Sequence, residues 1–197
     1  MAKEREIKPL KFSVLKDISK RQIDEHHDVL YAGYVNKLKE IEKKMESAAA
    51  EEANATFSQI RELKLEETFA KNGIKLHEGY FENLGGDGKA AGKIVEMIKR
   101  DFSSFEAWEK EFKALGLCAR GWVVLAYDWD DMKLCNYLCD FHSHGGVWGA
   151  TPILIMDMYE HAYFLDYGTA KKKYIEAFMK NIDWAQVNSK AEKIRIV

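Results

Sequence analysis

Asp157 directly follows Pro152-Ile-Leu-Ile-Met156, a wholly apolar run, and His161 comes four residues later. A carboxylate buried beside such a run needs a partner, because an isolated charge is expensive to remove from water. An even spacing keeps both side chains on one side of an extended chain, so a strand end would aim them at one point. Two more of the six histidines stand on apolar stretches. His26 lies on the stripe of Ile23, Leu30, Tyr34, Leu38, Ile41 and Met45, and His77 lies between Leu76 and Phe81. Singly, such a histidine is ordinarily a core residue with its hydrogen bond satisfied. Together, three imidazoles and one carboxylate suit a first-row transition metal with one position open to water or substrate. A di-iron helical protein would use Glu-x-x-His pairs. None of the six histidines has a glutamate three residues before it.

The elements that must position this set read as an α+β chain. The stripe through His26 predicts one long helix over residues 18–45, with Ser19 as its N-cap. Apolar spacing predicts a helix over 56–69, a break at Asn72-Gly73, and a short third helix carrying His77, Tyr80, Phe81 and Leu84. Gly85-Gly86-Asp87-Gly88 reads as a link between two domains: an N-terminal helical hairpin domain, 1–86, and a C-terminal α/β domain, 87–197. Two helices should follow, the second opened by a Ser103/Glu106 capping box. Trp122–Tyr127 and Leu134–Cys139 read as strands joined at Asp128-Trp-Asp-Asp131. Pro152–Met156 suits a central strand of a three-stranded antiparallel sheet, and helix returns after Gly168.

Composition excludes several classes. The 197 residues carry Lys+Arg 30 against Asp+Glu 32, a net charge of −2, so nothing points to a nucleic-acid partner. No stretch approaches the ~20 apolar residues of a membrane span. The first residues hold no apolar signal region, and the three cysteines, Cys118, Cys135 and Cys139, form no Cys-x-x-Cys. We therefore expect a cytoplasmic protein in a reducing compartment. Cys135 and Cys139 share one strand face, where packing is the better reading.

Asp157-Met-Tyr-Glu-His-Ala-Tyr163 resembles the Asp-x-Trp-Glu-His-Ala-Tyr signature of the iron/manganese superoxide dismutases. Ile18–His26 followed by Tyr34-Val35-x-x-Leu38 is similar to the first metal-binding helix of that family, and Gly73–Leu84 to the second. Gly121-Trp122 and Asn181-Ile-Asp-Trp184 match two further landmarks, in the family's order. The resemblance implies an antioxidant oxidoreductase that dismutes superoxide to dioxygen and hydrogen peroxide. His26, His77, Asp157 and His161 would bind one iron or manganese ion per subunit, with solvent as a fifth ligand. Tyr34 would be the gateway tyrosine that relays protons, with Trp122 beside it.

The family's outer glutamine, in iron-type members, stands four residues before the second histidine, where this chain has Gly73. Fifteen residues before Asp157, where some members carry a histidine, stands His142, with His144 as competitor. Glu160 would reach across a homodimer, or a dimer within a homotetramer, to the partner's metal site, and Tyr163 would lie in the same interface. Lys171 begins a lysine run that would either steer the anionic substrate or form a solvated helix face.

The departures are Leu30 and Tyr31 for a paired histidine, Tyr159 for the signature tryptophan, and Lys171 for an arginine, which loses the planar fork. They motivate one alternative, a non-catalytic or altered-activity metal-binding relative with the same fold. The four matched ligand positions and Tyr34 weigh against it, since a scaffold without activity has no need of a buried Asp157.

Overall fold

The computed structural model describes residues 5–194. The Ser19 hydroxyl accepts from the Gln22 N–H at 3.0 Å and opens the first helix. That helix is α-helical over Lys20–Asp24 (α1), widens into a π-helical stretch over Glu25–Tyr31, and resumes over Ala32–Met45 (α2). A π turn holds more residues than an α turn, so the buried stripe slips forward along the chain. His26, His27 and Tyr31 are buried, whereas Leu30 and Tyr34 are only partly so.

The expected break at Asn72-Gly73 is absent. Gln59–Glu82 forms one helix of 24 residues, α3, capped by the Ser58 side chain. Its glycine answers a close approach rather than a turn: a Cβ on Gly73 would lie 3.1 Å from the Tyr34 ring and 3.2 Å from His142. The glycine-rich link after α3 is pinned by Gly86 N–H to the Asn181 carbonyl at 3.0 Å and Gly88 N–H to the Ile182 carbonyl at 3.2 Å.

Lys93–Phe102 (α4) and Phe105–Cys118 (α5) follow. The cap of α5 is Ser104, which accepts from the Ala107 N–H, and not Ser103, whose φ of 70° turns the chain between the two helices. The sheet is three-stranded and antiparallel in the order β2-β1-β3, with β1 Trp122–Asp128, β2 Lys133–Cys139 and β3 Ala150–Asp157. The carboxylate of Asp128 accepts the N–H groups of Asp130 and Asp131 and shapes the hairpin turn.

The wholly buried strand β1 is therefore the central one, and the strand through Pro152 is an edge, where a residue without an N–H is tolerated. Its apolar run is buried because α3 packs on it. Asn83, fully buried at the end of α3, accepts from Ile155 N–H at 3.1 Å and donates to the Ile153 carbonyl at 3.3 Å. One amide thus satisfies the free edge of β3 and fixes α3 against it.

After β3 come a 3₁₀ turn at Glu160–Ala162, a short α6 at Phe164–Tyr167, α7 at Lys171–Lys180 and α8 at Trp184–Glu192. One apolar core, including Ile74, Tyr80, Trp108, Trp122 and Phe178, joins α3, the sheet and the later helices.

Candidate metal centre

Four side chains meet between the first helix, α3 and the end of β3. His26 comes from the π turn, His77 from α3 one turn beyond Gly73, and Asp157 from the last position of β3. His161 arrives by a different route from the one its spacing suggests. It lies in the 3₁₀ turn, not on an extended strand. Asp157 Oδ1 accepts the Tyr159 N–H at 2.9 Å, and this local turn folds His161 back over its own strand end.

Asp157 Oδ2 then lies 3.1 Å from His26 Nε2, 3.2 Å from His161 Nε2 and 3.6 Å from His77 Nε2. The four candidate ligand atoms all fall within 4.8 Å of one another. His26, His77 and Asp157 are fully buried, and the His161 side chain is 24% exposed.

His77 tests whether a cation fits here. Its Nδ1–H donates to the Gly73 carbonyl at 2.7 Å, which leaves Nε2 as a bare lone pair. That Nε2 is buried and has no hydrogen-bond partner, and the same is true of His26 Nδ1. An unpaired lone pair aimed at a buried carboxylate forfeits solvation with no return. A shared cation removes the conflict, since imidazole nitrogens ligate such ions at about 2 Å. A carbonyl on the far nitrogen is the usual means of fixing a ligand imidazole.

Burial pushes His26 down and His77 down to about 3, so both rings are neutral and available as ligands. Burial alone would raise the Asp157 carboxyl, but His161 and His26 beside it hold it well below the usual carboxylate range.

A second chain of polar contacts runs alongside. Trp122 Nε1–H donates to His142 Nδ1 at 3.0 Å. The remaining proton of a neutral imidazole must then sit on Nε2, 2.7 Å from the Tyr34 hydroxyl. Burial holds His142 down to about 4 and pushes the Tyr34 phenol up. The Tyr34 ring lies 5.4 Å from that of His77, and Phe69 covers His142 at 4.6 Å. His144, the competitor by sequence, is exposed on the loop and bonded to Phe141 instead.

The family model described as iron/manganese superoxide dismutases, C-terminal domain, matches residues 90–190. A relative from Aquifex aeolicus named superoxide dismutase (Fe) is 39% identical over 189 residues, covering 93% of this chain and 89% of its own. A second so named, from Cupriavidus metallidurans, is 39% identical over 91% of this chain and 92% of its own. One from Haloarcula marismortui, named superoxide dismutase (Mn), is 35% identical over 89% and 86%. The chain belongs to the iron/manganese superoxide dismutase family.

Three of the four positions at which this superoxide dismutase chain departs from the family signature, Tyr31, Tyr159 and Lys171, are engaged within the chain, and Leu30 is partly buried. Tyr31, fully buried, accepts from the Lys8 N–H at 3.1 Å and donates to Glu78 at 3.0 Å. Tyr159 lies flat on His161, with ring centres 5.1 Å apart and planes 11° apart. Lys171 donates to the Ala119 carbonyl, and burial lowers its pKa. Glu160 is exposed, and Tyr163 is buried against Tyr174 at 5.0 Å. The thiols of Cys118, Cys135 and Cys139 are free.

Gln22 was not singled out by sequence reasoning. Fully buried, it donates to the His161 carbonyl at 2.6 Å and accepts from Leu165 N–H at 3.1 Å, which fastens the His161 turn to the first helix. Its signal was available: a polar residue on the buried face, one turn before His26. Tyr80, 5.1 Å from the His26 ring, read only as core.

Proposed function

We propose that this superoxide dismutase family member dismutes superoxide at a single iron or manganese ion held by His26, His77, Asp157 and His161. The observation that carries the reading is the partnerless His77 Nε2, buried beside the Asp157 carboxylate where two more imidazoles converge. The bound ion would supply a one-electron couple, so that one superoxide is oxidised to dioxygen and a second, with two protons, is reduced to hydrogen peroxide.

The chain's own groups do the rest. One carboxylate and three neutral imidazoles leave the ion most of its positive charge, which favours an anionic substrate. Trp122 fixes the His142 tautomer, and His142 Nε2–H donates to Tyr34. The Tyr34 O–H is then free to give its proton toward the substrate. Its phenol stays protonated because burial raises its pKa. We assign proton delivery at this largely buried centre to the contacts among Trp122, His142 and Tyr34.

The two halves, 1–86 and 87–197, would each supply two of the ligands. We read the assembly as a homodimer or a homotetramer of such pairs, with Glu160 and Tyr163 at the contact. Exposure of Glu160 beside the partly open His161 supports this. Among the described residues, no helix is long and apolar enough to cross a membrane. The free thiols suit a reducing compartment, and we read the protein as a cytoplasmic one whose antioxidant role would follow from removing superoxide.

The test is superoxide consumption by purified protein reconstituted separately with iron and with manganese. Catalysis by at least one form is expected. Intact metal loading with no catalysis in either would favour the non-catalytic alternative.

A further inference from the structure

Asn181 is buried at the end of α7, and every hydrogen-bonding group of its side-chain amide is taken. Its oxygen accepts the Lys16 N–H at 2.7 Å, and its NH2 donates to the Lys16 carbonyl at 2.7 Å and to the Ala177 carbonyl at 2.8 Å. One amide therefore clamps both backbone groups of a single residue in the N-terminal arm. That arm, residues 8–19, forms no helix and one isolated bridge, between Leu15 and Ile18. Side chains hold it instead. Lys8 meets Glu82 on α3 at 3.2 Å, Lys11 meets Asp183, Asp17 meets Lys180 at 2.9 Å, and the Ser19 N–H donates to Asp166 at 2.7 Å. The arm thus touches both the half that carries His26 and His77 and the half that carries Asp157 and His161.

The same short segment holds the glycine link between those halves. The Asn181 carbonyl accepts the Gly86 N–H at 3.0 Å, while Ile182 pairs with Leu84 and accepts the Gly88 N–H at 3.2 Å. The Asp183 N–H donates to the Asn83 carbonyl at 2.7 Å, and Trp184 Nε1–H to the Gly88 carbonyl at 3.2 Å. A Cβ on Gly86 would lie 2.3 Å from the Ile182 carbonyl oxygen, so the link passes as close as a glycine allows. Asn181-Ile-Asp-Trp184, a landmark of the sequence outside the four candidate ligands and the Tyr34 relay, is where the arm, the link and the end of α3 meet.

We propose that Asn181 is a lock that ties the N-terminal arm and the glycine link to one point, so that the two detach together and never separately. Their joint release is then the opening by which the halves part and a bound ion leaves, because each half supplies two of the four ligands. The ion-leaving part rests on the four-ligand reading above. The lock itself is testable without catalysis.

The experiment is hydrogen–deuterium exchange of the metal-loaded protein, read by mass spectrometry over residues 8–19, 84–90 and 122–128. Release of the ion to excess chelator is timed on the same samples. The native chain is compared with Asn181→Asp and Gly86→Ala. Asn181→Asp keeps the shape of the side chain but replaces both donated hydrogen bonds with acceptors facing carbonyls. Gly86→Ala drives a methyl into Ile182 and Asp183, its nearest neighbours, and not into the arm.

In each variant exchange over 8–19 and over 84–90 should rise together, roughly tenfold, since more than one ordinary hydrogen bond is lost. Exchange over 122–128 should not change, and ion release should quicken by the same factor. In the native chain the two segments should already be equally protected, as one cooperative unit requires. A rise confined to 8–19 in Asn181→Asp, or to 84–90 in Gly86→Ala, would overturn the proposal. So would a rise that includes 122–128, or joint loosening with unchanged ion release. If Asn181→Asp fails to fold, Gly86→Ala decides by the same readouts. If both fail, unequal protection of the two segments in the native chain overturns the lock. A native protein inactive toward superoxide would count against the function while leaving the exchange result to judge the lock.

Discussion

The imidazole of His142 and the hydroxyl of Tyr34 are 2.7 Å apart, although 108 residues separate them in the chain. The contact exists because α3 carries no side chain at Gly73, which would otherwise fill the space between them. The proton-relay reading depends on this pair more than on any other outside the four candidate ligands.

Removing the imidazole should spare the metal and slow the chemistry. His142→Ala is expected to keep most of its iron or manganese and lose roughly 10–100-fold in turnover, the usual cost of deleting a group that tunes a metal site. Metal analysis and steady-state superoxide assays on the same sample check this. Normal turnover would rule the relay out.

Gly73→Ala probes the same space from the other side. Alanine gains about 1 kcal/mol of helix preference inside α3. Its methyl, however, would stand 3.1 Å from Tyr34 and 3.2 Å from His142, so both rings must give way. We expect near-neutral thermal stability with reduced turnover. A stabilised variant with full activity would show that the pair tolerates displacement.

Acid should unfold the metal-free protein earlier than its overall charge suggests. His77 is held at about 3 and His142 at about 4, each below the ordinary 6.5 that unfolding restores. In that interval the unfolded chain binds more protons, so stability falls as pH drops below 6.5. Asp157, held below its ordinary 3.8, acts in the same direction at lower pH, because its contribution is lost as it protonates. Thermal midpoints of chelator-treated protein should decline steadily from pH 6.5 to about 4. A flat profile would mean that these rings are not buried without the metal.

Glu160→Ala tests the assembly. Truncating one side of a buried, charge-assisted contact costs roughly 2–5 kcal/mol, enough to weaken a dimer severely. Light scattering at micromolar concentration should find native dimers or tetramers and a shift toward monomer in the variant, with metal retention reduced at the same time. A monomeric native protein would exclude the interface reading.

The candidate ligands were legible because Asp157 is a carboxylate set against an apolar strand, and such a residue needs partners. The α+β order was legible from changes of hydrophobic period. Three features were not, each for a tertiary reason. The π turn at Glu25–Tyr31 slips the buried stripe so that Tyr31 replaces Leu30 inside, and no composition rule marks it. Asn72-Gly73 looks like a break, but there the packing of Tyr34 and His142, not a turn, requires glycine. Pro152–Met156 is apolar because α3 and Asn83 cover it, so an edge strand resembles a central one.

The most direct test of the central claim is a metal titration of the stripped protein with iron or manganese, following superoxide turnover and bound metal together. Turnover should rise linearly and stop at one ion per chain, and Asp157→Ala should neither retain the ion nor gain activity. Activity without bound metal, or a full complement of metal in Asp157→Ala, would contradict the four-residue centre.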